Sequence, residues 1–312
     1  TQWLLAWRSP VDEPHPFIAP TQRARLKSLG LTLGFLVVSL VYGALRVQHI
    51  DALVAEAPKL KVGVVEADVG IFESEPASKR RDHLLILQRL SRDLVERGAE
   101  LIIWSESSYR MSSFPSDLKR VYRSPEPLVA SWREDVNRNT PRRDRVTPLR
   151  GFEAPLRMGG GAVERVEGES PRHYNSAWLI GREGEVLGRY DKMVRLVFGE
   201  YIPFGDVFPI FYRWLPSASH LTKGEGVTSL VLPHKGREVR LGVLICYEGI
   251  LPGFARDVVA TNPDVLINLT NDDWFGVSAE RYLHFVLAQP RAIESRRAFV
   301  RSTLTGVSAV VD

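Results

Sequence analysis

Residues 28–45 (SLGLTLGFLVVSLVYGAL) run without a charge. As a helix this stretch is about 27 Å long at about 1.5 Å per residue, close to the roughly 30 Å hydrocarbon core of a bilayer. Its polar side chains are Ser28, Thr32, Ser39 and Tyr42, too few for the polar face that a surface helix of a soluble domain carries. A transmembrane helix over residues 28–46 is therefore expected. Arg23, Arg25 and Lys27 precede it, against Arg46 and then Asp51 after it. That bias places residues 1–27 in the cytoplasm, as a juxtamembrane segment, and everything after Arg46 outside. TQWLLAW (1–7) reads as the tail of an earlier span. With Thr rather than Met at position 1, the numbering is expected to begin inside a longer product or at a processed terminus.

The remainder has the make-up of a globular domain. Hydrophobic residues are 44% and charged residues 25% of the 312, enough for a sizeable core and unlike a fibrous or disordered chain. The net charge of +4 comes from Arg mixed with acids, so nucleic-acid binding is not expected; no basic stripe with interleaved aromatics is present. The seven His are scattered without ligand spacing, so no metal and no other cofactor is expected. The single cysteine excludes an internal disulfide.

From Lys59 onward strands and helices alternate, which predicts an α/β domain. LKVGVVEADV (60–69) is a β-branched strand. The helix that follows carries Leu84, Leu87, Leu90 and Leu94 on one face, with Gly98 as C-cap. ELIIWSE (100–106) is a short buried strand. Residues 110–172 are rich in Pro, Arg and Gly and read as a flexible arm. Further strands are expected at 176–181, 239–246, 264–270, 299–304 and 308–312, with helices at 250–261 and 279–297. The chain stops at Asp312 in mid-strand.

Four segments carry chemistry. Cys246 closes an apolar strand and is followed by Tyr247-Glu248-Gly249, a break that suits a nucleophile on a strand-to-helix turn. Taken alone, a free cysteine is more often a buried inert thiol. Glu106, in WSES, sits at the C-terminal end of a strand, where α/β sheets bind ligands. Lys192 and Glu200 lie within GRYDKMVRLVFGEYIPFGD (188–206), an apolar setting unusual for a solvated charge run. NLTNDDWFG (268–276) follows a strand directly. Each segment also has a bland reading: a solvated loop Glu, a surface Lys with a packed stem, an idle turn.

Taken together, these segments resemble the nitrilase (carbon–nitrogen hydrolase) superfamily, and within it the apolipoprotein N-acyltransferase branch. The resemblance rests on WSES, YNSA (174–177), DK followed by FGEYIPFGD, ICYE (245–248), NLTNDDWFG and RAIESRRAFVRSTLTGVSAVVD, and spans residues 59–312. It departs at Glu66-Ala67-Asp68, where the family has Gln-Gly-Asn, and at Val197, where a Pro is usual. It implies an α-β-β-α sandwich, preceded by at least one transmembrane helix and lacking the family's final strands. It further implies a catalytic triad of Glu106 as base, Lys192 as oxyanion partner and Cys246 as nucleophile. Supporting roles fall to Glu200, Glu248 and the backbone N–H of Tyr247, and substrate-binding positions to Asn175 and Trp274.

The activity so implied moves a fatty acyl chain from a phospholipid such as phosphatidylethanolamine, through a Cys246 thioester, to the N-terminal amine of an apolipoprotein. The setting is a bacterial inner membrane, with a monomer whose catalytic domain lies on the periplasmic side. Two other readings stand beside it: a membrane-tethered amidase or nitrilase with the same triad, and a degenerate non-catalytic membrane module.

Overall fold

The computed structural model describes residues 21–68, 77–114, 149, 151–164 and 170–312. The chain divides into two compact units, Thr1–Lys59 and Leu60–Asp312. The tail-of-a-span reading of residues 1–7 lies outside the described residues.

In the first unit, helix α1 (Gln22–Glu56) is 35 residues long, or about 52 Å. Thr21 caps its start by accepting from the Ala24 N–H. The helix thus continues beyond the apolar run at both ends, because nothing in RARLK or RVQHIDALVAE breaks it: neither stretch contains Pro or Gly. None of its side chains is buried, and Leu31, Phe35 and Val38 are among the most exposed apolar groups of the chain. By length and composition it can cross a membrane.

The second unit is built on two sheets. In the first, β1 (Val62–Val65), β2 (Leu101–Trp104), β4 (Leu156–Glu164), β5 (Arg172–Ile180) and β6 (Val186–Asp191) lie in that order, with β3 (Tyr109–Phe114) pairing β4. In the second the order is β11 (Ala309–Val311), β10 (Ala298–Thr303), β9 (Val265–Thr270), β8 (Arg237–Ile245) and β7 (Ser229–His234). Strand periodicity sorts the core into layers. Leu101 and Ile103 of β2 pack with Val243 and Ile245 of β8, Ile267 and Leu269 of β9 and Val300 of β10, filling the space between the sheets. Their neighbours Ile102 and Trp104 face the other way, onto Leu84 and Leu87 of helix α2 (Ala77–Glu96). Leu244, Leu266 and Phe299 face outward from the second sheet, onto Val258, Ala288 and Ala292. These belong to α4 (Pro252–Val259), α5 (Glu280–Ala288) and α6 (Pro290–Ser295). The short α3 (Ile210–Trp214) lies in the connection between β6 and β7. The result is an α-β-β-α sandwich.

Two expectations are corrected. Residues 279–297 are two helices rather than one, with Pro290 at the start of the second, where a missing N–H costs least. The expected arm over 110–172 contains β4, which pairs β2, β3 and β5 in the middle of the first sheet. Gly159-Gly160-Gly161 reads as loop but is strand, and Gly159 marks a close backbone approach. A Cβ on Gly159 would lie 2.5 Å from the Glu106 Cα and 2.6 Å from the Ser105 carbonyl oxygen. The β4 strand therefore passes directly against the turn that carries Glu106. Most of the rest of the expected arm, residues 115–148, lies outside the described residues.

Candidate active site

The C-terminal ends of β2, β6, β8 and β9 each deliver a polar group. Beyond β2, Ser105 and Glu106 are followed by Ser107 in the left-handed region at φ 55°. Gly159 N–H holds the Ser105 carbonyl at 3.1 Å. Beyond β6, Lys192 is held by its main chain on both sides: its N–H donates to the Asn175 carbonyl (2.9 Å) and its carbonyl accepts from Gly224 N–H (2.9 Å). Beyond β8, Cys246 opens the 3₁₀ turn Cys246–Ile250 with φ 51°. A non-glycine residue in that region costs energy and turns its side chain away from the strand direction.

Glu106 and Lys192 face each other. Lys192 Nζ lies 3.6 Å from Glu106 Oε1 and 2.9 Å from Glu200 Oε1, and all three side chains are largely buried. Asn175 Nδ2 bridges the two carboxylates, donating to Glu106 Oε1 at 2.7 Å and to Glu200 Oε1 at 3.0 Å. Glu200 Oε2 in turn accepts from the Leu196 N–H. Asn175, expected to bind substrate, is thus engaged in fixing the two carboxylates that flank Lys192. Trp274 lies in the 3₁₀ turn Asp273–Phe275, three residues beyond Asn271, with its side chain largely exposed.

Charge states follow from this enclosure. Burial raises Glu106 above the ordinary carboxylate range, and the nearby Glu200 adds to that, while Lys192, Asn175 and the Asn271 N–H pull it back. Burial works against the Lys192 ammonium, but Glu106, Cys246 and Glu200 outweigh it and hold the amine protonated. The Cys246 thiol is pushed up to about 12, by burial first and then by Glu106 and Glu200, against Lys192 and a hydrogen bond with Thr270. At neutral pH the site therefore holds a thiol beside an ammonium, rather than a preformed thiolate.

Glu248, expected in a supporting role, feels the Lys192 charge, while its direct hydrogen bonds come from main-chain N–H groups and the Tyr190 hydroxyl. It accepts from Met193 N–H (2.7 Å), Val194 N–H (2.9 Å) and Ile245 N–H (2.8 Å), and from the Tyr190 hydroxyl (2.9 Å). It clamps the segment after Lys192 to the strand end before Cys246, and so sets the separation of those two residues. Burial lifts its pKa to about 7, against the three main-chain N–H bonds and Lys192. Tyr247 follows Cys246 in the same turn, half-buried.

Thr270 and Asn271 were not singled out from the sequence, although NLTNDDWFG contains both. Thr270 meets the thiol and the Asn271 N–H meets Glu106, contacts that depend on β9 lying beside β8. Among the described residues no group of three His, Cys, Asp or Glu is placed to hold a metal ion. The arrangement suits acyl chemistry: a thiol to attack a carbonyl, a carboxylate to take its proton and a fixed ammonium to face a developing oxyanion.

Comparison with known proteins adds the following. The family model for carbon-nitrogen hydrolases matches residues 61–312. The chain is 30% identical over 292 residues to a Geobacter metallireducens protein named Apolipoprotein N-acyltransferase, covering 92% of this chain and 49% of that protein. A protein of the same name from Bradyrhizobium diazoefficiens is 30% identical over 304 residues, covering 94% and 51%. The chain spans about half the length of the curated relatives it matches. Among solved structures, a glutamine-dependent NAD+ synthetase from Acinetobacter baumannii is similar in fold, with a TM-score of 0.50 and 17% identity, over 82% of this chain and 42% of that one.

Proposed function

Because this chain belongs to the carbon–nitrogen hydrolase family, we propose that Cys246, Glu106 and Lys192 are its nucleophile, base and oxyanion partner. We propose further that it transfers a fatty acyl chain from a phospholipid to the N-terminal amine of an apolipoprotein. The observation that carries the chemistry is the buried Lys192 ammonium 3.6 Å from Glu106, with the chain's single cysteine coupled to both. The donor and acceptor classes rest on the similarity to the proteins named Apolipoprotein N-acyltransferase, which extends over 92% of this chain. A helix able to cross a membrane supports both, since a phospholipid and a lipid-modified protein meet an enzyme at the bilayer surface.

In this mechanism Glu106 takes the Cys246 proton as sulfur attacks the ester carbonyl of the donor. The thiol need not ionise beforehand, so a thiol pKa near 12 is no obstacle: proton transfer and attack are coupled. Lys192 and the Tyr247 N–H face the tetrahedral oxyanion; one such donor is worth about 10²–10³ in rate. The intermediate collapses, the C–O bond breaks, and protonated Glu106 returns its proton to the departing lysophospholipid alcohol. The amine then attacks the thioester, Glu106 accepts its proton and gives it to the leaving Cys246 sulfur. Glu200 and Asn175 keep Lys192 and Glu106 in place through both halves. The site lies on the periplasmic side of the bacterial inner membrane, following the basic residues before α1.

The test is to supply the membrane-embedded protein with phosphatidylethanolamine bearing an isotope-labelled acyl chain and with a diacylglyceryl-cysteine peptide. A gain of one labelled acyl group on the peptide's free N-terminus is expected, and none on an N-acetylated peptide. Labelled free fatty acid with an unmodified peptide would contradict acyl transfer and favour the hydrolase reading.

A further inference from the structure

Next to Cys246 lies a second polar cluster that the acyl-transfer steps do not use. Arg301 of β10, Asn268 of β9 and Asp272 are all 0% exposed. The Arg301 guanidinium donates to Asn268 Oδ1 (2.8 Å), to Asp272 Oδ2 (2.6 Å) and to the Val307 carbonyl (3.2 Å). The other oxygen of Asp272 meets His284 Nδ1 at 2.7 Å and accepts from the Thr270 hydroxyl at 3.2 Å. Burial works against the Asp272 carboxylate, but His284 and Arg301 outweigh it and hold it below its ordinary range. The Asn268 amide nitrogen donates to two main-chain carbonyls, Leu244 (3.2 Å) and Cys246 itself (3.3 Å).

The chemistry of these groups fixes their orientation. A guanidinium only donates, so the Asn268 oxygen must face Arg301. Its NH₂ is then turned toward the carbonyls on either side of Ile245, at the turn where the backbone enters φ 51°. With the amide reversed, oxygen would face oxygen at Leu244 and Cys246. Gly249 completes the packing, because a Cβ there would lie 2.9 Å from the Asn268 amide nitrogen. Buried charge-assisted bonds of this kind are the strong ones, and leaving one partner unsatisfied is costly.

We infer that Arg301 is a positioning residue for Cys246: by setting the orientation of the Asn268 amide, it holds the nucleophile's backbone in the left-handed conformation that aims the thiol at Glu106. Asp272 anchors the guanidinium, and through Thr270 the same cluster also reaches the thiol. The inference rests on Cys246 being the nucleophile, and on nothing about donor or acceptor. A misplacement of the reacting atom by about 1 Å is worth about 10² in rate, and that is the effect expected when the brace is removed.

The test is the pre-steady-state burst of p-nitrophenol from p-nitrophenyl butyrate, an ester that acylates such a cysteine whether the enzyme transfers or hydrolyses. Arg301→Lys keeps the charge without the fork. Asn268→Asp keeps an acceptor for Arg301 and loses the donor to Cys246. Each is expected to slow the burst roughly 10²-fold, with the KM for the ester within about twofold of wild type. Asn268→Asp turns an oxygen toward the Leu244 and Cys246 carbonyls and is expected to melt lower, so circular dichroism at the assay temperature establishes that each variant is folded. Because both act through one contact, the double variant is expected to be no slower than either single one. A burst within threefold of wild type in folded Asn268→Asp, or multiplied losses in the double variant, would overturn the inference. If Arg301→Lys does not fold, Asn268→Asp and Asn268→Ala decide by the same criteria. A wild type without any burst would instead contradict Cys246 as nucleophile, a separate failure.

Discussion

Glu106 acts on Cys246 in two opposed ways. As a neighbouring charge it raises the thiol pKa, second only to burial; as the proposed base it would be the acceptor that makes attack possible. Replacing it separates the two. In Glu106→Gln the repulsion is gone while Lys192 remains, so iodoacetamide alkylation of the chain's single cysteine should turn on at lower pH than in wild type. Acylation by a p-nitrophenyl ester should nonetheless fall about 10²–10⁴-fold. Intact-mass alkylation rates across pH check the first expectation, and an inflection that stays in place would contradict the electrostatic account. The same thiol bears on stability. Its folded pKa of about 12 lies above the ordinary 9.0, so the folded chain binds the proton more tightly than the unfolded one. That contribution is complete below pH 9 and is lost as pH rises toward 12. Wild type should therefore lose more stability than Cys246→Ala over that window in thermal melts.

At the scale of elements, β4 is where the sheet serves the site. The Gly159 position has no room for a Cβ because backbone atoms of Ser105, Glu106 and Ser107 fill it, at 2.5–2.7 Å. Gly161, two residues on, meets only the Tyr174 carbonyl oxygen at 3.8 Å, an ordinary contact. Gly159→Ala should cost at least the roughly 1–3 kcal/mol of an overpacked core and displace Glu106, whereas Gly161→Ala should melt within about 1 kcal/mol of wild type. Urea unfolding of the pair checks this, and equal midpoints would contradict it. The contrast also explains what was legible in the sequence. Strands β2, β8 and β9 announce themselves as apolar runs because both their faces are largely buried. The Gly run of β4 reads as loop, since the reason for its glycines is a contact with a turn more than fifty residues away. For the same reason Glu106, Lys192 and Cys246 stood out by local wording, while Asn175 as a bridge, Thr270 and Arg301 depended on pairings between strands that no local pattern reveals. Glu248 was found, but its direct hydrogen bonds, to three main-chain N–H groups and the Tyr190 hydroxyl, carry no sequence signature.

For the whole molecule, the second unit begins within a few residues of the end of α1: Glu56 closes the helix and Val62 opens β1. A linker of five or six residues reaches at most about 20 Å. With Arg23, Arg25 and Lys27 at the helix start, the residues after α1 should be extracytoplasmic. Alkaline phosphatase fused after residue 59 should be active and a cytoplasmic reporter at the same point silent; the reverse pattern would contradict the orientation. The central claim, that Cys246 accepts an acyl chain from a phospholipid, is tested most directly by intact mass spectrometry of the membrane-embedded protein after incubation with phosphatidylethanolamine. The account predicts a hydroxylamine-labile adduct of one acyl chain on wild type and none on Cys246→Ala. A folded wild type that gains no mass, or an adduct that persists in Cys246→Ala, would contradict it.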